Sequence, residues 1–309
     1  MLHVERFLIE VMTGFQAKLL LLCVFAARGT SFLFSKVLLR SMSPENVLAV
    51  RFLLSFAVLA VVFHKKMRSI SRKDVQGGLV LGALYSLCMF FEMHGLRTVD
   101  TGVAAFVENM AIVFVPLYVA VFTGVLPSKK TLFCCVLAVA GVGFLSLSQV
   151  SGRSGAGIIL VILAAFTYGV CILATERVSR DGDPLTIGIL QLGFMGLAGL
   201  VAAPFTGTLR LPATALEWTM ILLLAFVCSC FGFAFQPVGQ KYLPAETAAV
   251  FTVVNPLTAS VLGLVAAGES FGPAKAAGYA LILVSLLIYN WHSPAVPSGE
   301  SRRVAQDNP

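Results

Sequence analysis

Apolar residues run along this chain in blocks of roughly twenty, separated by short polar stretches, from Leu19 almost to Trp291. A half-buried strand would alternate with period two, and a soluble helix would keep one polar face; these blocks do neither. Unbroken apolar stretches of that length match the thickness of a bilayer core. Ten candidate spans follow, at 18–39, 46–63, 75–95, 101–123, 131–148, 156–176, 185–205, 215–236, 246–267 and 273–291. The pattern predicts an all-α integral membrane protein with ten transmembrane helices and no soluble domain. Residues 1–17 read as an N-terminal cytoplasmic segment with a short surface helix. Glu5 and Glu10 spoil a signal-peptide n-region, so the first span is expected to be retained. Residues 292–309 read as a disordered cytoplasmic tail.

Charge sets the orientation. Only 12% of the 309 residues are charged, against about a quarter in soluble domains. The net charge of +7 is carried by loops, not by a basic stripe with interleaved aromatics, so no nucleic-acid partner is expected. With the N-terminus inside, fourteen Lys and Arg fall on the inner side and five on the outer, and the run 64–74 contributes most of the excess. That bias predicts both termini in the cytoplasm.

The chain also repeats. A shift of 140 places Gly29 on Gly169 and Pro44 on Pro184. A shift of 144 places Gly95 on Gly239, Ala104 on Ala248 and Gly124 on Gly268. The order predicts two five-helix units, 18–148 and 156–291, joined by a loop at 149–155. Five is odd, so the second unit enters the membrane in the opposite sense, the inverted-repeat layout of many secondary transporters.

Against this background the polar residues inside the spans stand out. An arginine at mid-span costs about 2.5–3.5 kcal/mol on insertion scales, and twelve Leu, Val and Phe between positions 19 and 39 offset the cost of Arg28. Arg28, Ser31 and Ser35 share one helix face. The shift of 140 sets Tyr168 opposite Arg28, both near the junction of the repeats. Glu108, beside Asn109 in the fourth span, is the expected counter-charge. Glu92, with Tyr85 on the third span, is a second acid, placed nearer the outer end where water reaches it. Arg28 reads either as a substrate clamp or as a structural ion-pair partner. Arg51, whose repeat counterpart is Gln191, and Lys36 read as architectural. Asn255-Pro256 breaks the ninth helix ladder, lining a cavity or simply kinking the helix. Phe231, Phe233 and Phe235 alternate on the eighth helix and read as lipid contacts. The seven cysteines lack zinc-ligand spacing, and no cofactor or metal is expected.

The stretches GTSFLFSKVLLRSMSPENVLAVRFLLSF (29–56), TGVAAFVENMAIVFVPL (101–117) and ETAAVFTVVNPLTASVLGLVAAGESF (246–271) resemble the drug/metabolite transporter superfamily, and within it the EamA-type ten-span transporters. The resemblance covers about residues 18–291. The sequence departs from it at Arg28, where many relatives carry an aromatic residue, at Ile112 in place of a proline, and at Val125, the first-repeat counterpart of Glu269. The resemblance implies transport of amino acids, amines and other metabolites, often as efflux, across a bacterial inner membrane.

The reading is therefore a secondary transporter, most simply an exporter, of a small polar metabolite by alternating access. Its expected substrate-binding residues are Arg28, Ser31, Tyr85, Glu108, Asn109, Tyr168 and Asn255, with Glu92 and Glu108 as proton-coupling candidates. Its partners are the lipid bilayer, the solute and protons. The alternative is a flippase or efflux carrier for lipid-like or drug-like molecules. Enzyme motifs such as HExxH or GxSxG do not occur, and neither does a nucleotide-binding loop.

Overall fold

The computed structural model describes residues 12–124, 128–148, 154–206, 209–266, 268 and 272–290. The repeat linker at 149–153, Val125, Glu269 and the two terminal segments 1–11 and 291–309 lie outside the described residues. Among the described residues the chain forms helical rods and no strand. They are α1 (Gly14–Gly29 continuing as Ser31–Leu38), α2 (Pro44–Val62), α3 (Arg72–Leu96), α4 (Thr101–Glu108, then Ala111–Thr123) and α5 (Lys129–Ser148). The second half holds α6 (Ser154–Asp181), α7 (Pro184–Thr206), α8 (Ala215–Gln240), α9 (Ala245–Phe251, then Val254–Ala266) and α10 (Pro273–Asn290). Eight of these, all but α5 and α10, are long and apolar enough to cross a membrane; α5 carries a shorter apolar stretch, Leu132–Gly141.

Side-chain oxygens fix where the rods start. Thr13 and Gln16 form a capping box, so α1 begins at Gly14, four residues before the expected limit of 18. Ser43 caps α2 with Pro44 in the first turn, where a missing N–H costs nothing. Ser71 and Asp74 box the start of α3, and Thr214 caps α8. Phe15, Leu19, Val61, Val121, Phe122, Phe133, Val201, Phe205 and Leu287 are exposed on the outside of the bundle, as lipid-facing positions should be.

The two halves run in opposite senses. Gly193, Gly196 and Gly199 of α7 lie against Phe56, Leu53 and Ala49 of α2, so the two helices are antiparallel. Asn109 and Gly102 of α4 meet Thr252 and Ser260 of α9 in the same way. Cys134 and Gly141 of α5 meet Ser285 and Ile282 of α10. Each pair joins a helix to its own counterpart, which is what a two-fold axis between repeats produces. Of the other contacts, α3 on α6 and α1 on α8 are partners under the same operation, as are α3 on α7 and α8 on α2.

Loops gather at two ends. At one, Lys66 bonds both Asp183 oxygens at 3.0 Å and Asp74 accepts the Asp183 N–H at 2.8 Å, while Glu176 accepts the Ala245 N–H. Burial opposes ionisation of Asp183, but hydrogen bonds from Thr186 and Lys66 win and hold its carboxyl below the usual aspartate range. Lys65, Arg68, Arg72, Lys73, Arg177, Arg180 and Lys241 share this end. At the other end Arg210 bridges Glu217 and the Ser41 carbonyl, Lys275 pairs with Asp100 at 2.6 Å, and His94 lies 3.3 Å from Glu45. Lys36 donates to the Leu96 and Val99 carbonyls, satisfying the C-terminus of α3.

The glycines of α7 are what let α2 approach. A Cβ at Gly199 would stand 2.7 Å from the Ala49 nitrogen and 3.1 Å from the Glu45 carbonyl oxygen, both rigid backbone. Gly199→Leu should therefore cost about 1–3 kcal/mol of overpacking, seen as a lower melting temperature in detergent. Gly143→Leu, at a position open to its surroundings, should leave that temperature unchanged.

Candidate functional site

The polar core begins with a helix that cannot keep its ladder. Pro237 has no N–H for the Phe233 carbonyl four residues earlier, and α8 widens into π-turns over Leu224–Phe233 just before that point. The Gln191 amide from α7 takes up the freed Phe233 carbonyl at 2.8 Å. The widening turns Phe233 inward, to 1% exposure. This corrects the sequence reading of Phe233 as a lipid contact: alternation along the chain loses its meaning where the turn is no longer 3.6 residues.

Arg28 stands over that ring, its Cζ 4.1 Å from the centroid. Gly232 supplies the space, since a Cβ there would sit 2.7 Å from the Arg28 Cγ. The guanidinium donates to the Tyr168 hydroxyl at 3.1 Å and to the Gln236 side-chain oxygen. Tyr168 and Tyr85 also present their rings, at 5.0 and 5.7 Å from Cζ. Gln236 donates in turn to the Tyr85 hydroxyl at 2.9 Å and to Gln240 at 3.1 Å. Arg28 is thus held by α3, α6 and α8, within an aromatic cage that attracts a desolvated cation through ring quadrupoles. The pair set opposite each other by the sequence shift, Arg28 and Tyr168, is in direct contact.

No carboxylate among the described residues comes within ion-pair reach of Arg28. Glu108, the expected counter-charge, meets Glu92 instead, side chain to side chain at hydrogen-bonding separation. The expectation that Glu92 is wetted near the outer end is also corrected: it is 2% exposed and faces inward, while its neighbour His94 turns to Glu45. One oxygen of each glutamate, Glu92 Oε1 and Glu108 Oε2, has no hydrogen-bond partner. A carboxyl–carboxyl hydrogen bond needs a proton in it, so the two acids act as one unit.

Arg51 of α2 completes the core. It is fully buried, with Nε on the Ser229 hydroxyl at 2.7 Å and Cζ 4.7 Å from the Phe52 ring and 5.6 Å from the Phe233 ring. Sequence reasoning read it as architectural; it placed Phe233 among lipid contacts and did not single out Gln236 or Gln240. The two glutamines carried a readable signal, since an amide deep in an apolar span needs partners.

The remaining expected residues form a second cluster beside the first. The α4 break at Asn109 and the α9 break at Thr252 meet, with the Thr252 hydroxyl donating to Asn109 Oδ1 at 2.6 Å. Pro256 explains the α9 break, four residues ahead of it. Asn255 packs its backbone against Gly29, where a Cβ would stand 2.6 Å from the Asn255 carbonyl oxygen. Ser31 lies on the α1 segment beyond the Thr30 interruption and is buried. Asn109 Nδ2 and Asn255 Oδ1 are buried without partners. No group of residues with metal-ligand clustering occurs among the described residues.

The geometry is of a buried polar core between two oppositely running halves, with broken helices converging on it. Known proteins share this plan. The model of the EamA-like transporter family matches twice, over residues 16–147 and 155–291. The chain is 26% identical to the uncharacterized transporter YcxC of Bacillus subtilis, over 84% of this chain and 88% of that one. It is 26% identical to the threonine/homoserine exporter RhtA of Escherichia coli (83% and 85% covered), and 23% identical to a biotin transporter of Salmonella typhimurium (77% and 80%). A solved crystal structure shares the fold with a TM-score of 0.66 at 17% identity, covering 89% of this chain and 97% of that one. The double match accounts for both halves and nearly the whole length: the chain is a multi-pass membrane protein that belongs to the EamA-like transporter family, within the drug/metabolite transporter superfamily.

Proposed function

We propose that this protein is a secondary carrier that exports a small polar metabolite, an amino acid or a related amine or carboxylate, across a bacterial cell membrane. The single observation that carries the reading is Arg28: a guanidinium buried between the two halves, caged by Tyr85, Tyr168 and Phe233, with no carboxylate partner among the described residues. A charge kept in such a place without a counter-ion is expected to serve a ligand. In this reading the solute sits between the halves, its acid group on Arg28 and its remaining polar groups reaching Ser31, Tyr85, Glu108, Asn109, Tyr168 and Asn255.

In this reading the carrier works by alternating access, which the oppositely running halves support. All ten rods span the membrane, with the Lys66 and Arg180 end and both termini in the cytoplasm, as the bias of positive loops favours. The core residues are buried, so solute reaches them only when one end opens. The interruptions of α1, α4 and α9 and the π-turns of α8 give the rods places to bend. The shared proton of Glu92 and Glu108 makes that pair the candidate for proton coupling. The exporter name of the Escherichia coli relative supports amino acids and the outward direction; the biotin transporter is a reminder that this architecture also serves larger acids.

Two outcomes test the reading. Purified protein should be stabilised against heat by an amino acid or organic acid. Arg28→Ala should weaken that ligand about 10- to 100-fold, the worth of a charge-assisted hydrogen bond, and Tyr168→Phe less so. Equal stabilisation of wild type and Arg28→Ala would sink Arg28 as the clamp, and a response to lipid-linked compounds alone would favour the flippase. In liposomes, Glu108→Gln should still move solute but lose its response to a pH gradient. A full response in that variant removes Glu108 as the proton carrier.

A further inference from the structure

The core holds more positive charge than Arg28 alone accounts for. Arg51 is fully buried, yet both its terminal nitrogens, Nη1 and Nη2, lack a hydrogen-bond partner. Only Nε is engaged, by Ser229. An arginine anchored at Nε and left unpaired at its two buried terminal nitrogens presents a flat two-pronged donor, the shape that matches a carboxylate. The Phe233 ring lies beneath both cations, 4.1 Å from Arg28 Cζ and 5.6 Å from Arg51 Cζ, so the two guanidiniums are no further apart than those distances together.

The internal acids do not neutralise them. Glu92 and Glu108 are both beyond ion-pair reach of either arginine. Neither guanidinium has an ion-pair partner among the described residues. A buried cation with unsatisfied donors is costly, and an anion placed at its open edge removes that cost.

We infer that Arg51 is a second anion-binding group of the transport site, and that the solute carries a carboxylate, held by the open edge of Arg51 above Phe233 with Arg28 alongside. This rests on the transporter reading above and narrows it: the acid group becomes obligatory, and purely cationic amines and uncharged solutes are excluded.

The test uses full-length protein in detergent, with heat stability read against L-threonine, succinate, L-threonine amide and inorganic phosphate. At least one carboxylate should raise the melting temperature, and the amide should not. Arg51→Lys keeps the buried charge but loses the two-pronged edge, and should raise the carboxylate concentration for half effect at least tenfold. Ser229→Ala, which frees only Nε, should raise it by a smaller factor and serves where Arg51→Lys does not fold. The inference is overturned by a carboxylate response unchanged in both variants, by an amide as effective as its acid, by a response to phosphate alone, or by no response to either carboxylate. Liposome transport of the same compounds separates the two levels. If wild type moves an uncharged or cationic solute, and Arg51→Lys or Ser229→Ala moves it equally well, Arg51 is structural while the carrier reading stands. If wild type moves nothing, the carrier reading falls and takes this inference with it.

Discussion

A guanidinium deep in a membrane bundle must be satisfied by protein, and in this chain that requirement organises the core. Arg28 is reached by Tyr85 from α3, Tyr168 from α6, and Phe233 and Gln236 from α8. Each of those groups depends on something else. Phe233 turns inward because Pro237 leaves its carbonyl free and Gln191 of α7 takes it up. The stem of Arg28 fits because residue 232 has no side chain. The charge thus ties both halves of the molecule to one point, and the bond that does so most directly joins two residues related by the repeat.

The same point is where the rods are weakest. Continuous helices carry their own backbone hydrogen bonds; interrupted ones leave groups that neighbours must satisfy. Here α1 is interrupted at Thr30, α4 at Asn109, α9 at Thr252, and α8 passes through π-turns. Thr252 and Asn109 bridge two of these interruptions. At the ends, polar cross-links join the halves: Lys66 and Asp74 with Asp183 at one, and Lys275 with Asp100, Arg210 with Ser41 and Asn46, and Ser41 with Glu217 at the other. These links are local and polar, whereas the α2–α7 seam is a continuous close packing of Gly193, Gly196 and Gly199 on Phe56, Leu53 and Ala49.

The fold was legible because bilayer thickness and helical rise leave little freedom: the rods lie within a few residues of the apolar blocks. The start of α1 at Gly14 was missed because Thr13 and Gln16 precede the apolar run, and a capping box outweighs hydropathy. The repeat was legible because several shared glycines sit where helices touch, as Gly29 does on Asn255 and Gly169 on Tyr118 and Phe114, while Gly124 and Gly268 both take the left-handed φ that favours glycine. In the core, the Arg28–Tyr168 partnership followed from that symmetry. The partnership of Glu108 with Glu92 did not, because opposite charge is a weaker guide than the register of α3 on α4. Phe233 was hidden by the assumption of 3.6 residues per turn, which one proline removes.

The proposed carrier cycle requires the two halves to move relative to one another. Distances between spin labels test it most directly, on α1 against α6 in reconstituted protein. One pair, at positions 18 and 177, reports the basic end; the other, at 40 and 155, reports the opposite end. Adding a stabilising solute should shift the two distances in opposite directions, one end closing as the other opens. Two distance distributions that stay fixed, or that widen together, while the same preparation transports solute, would contradict the account.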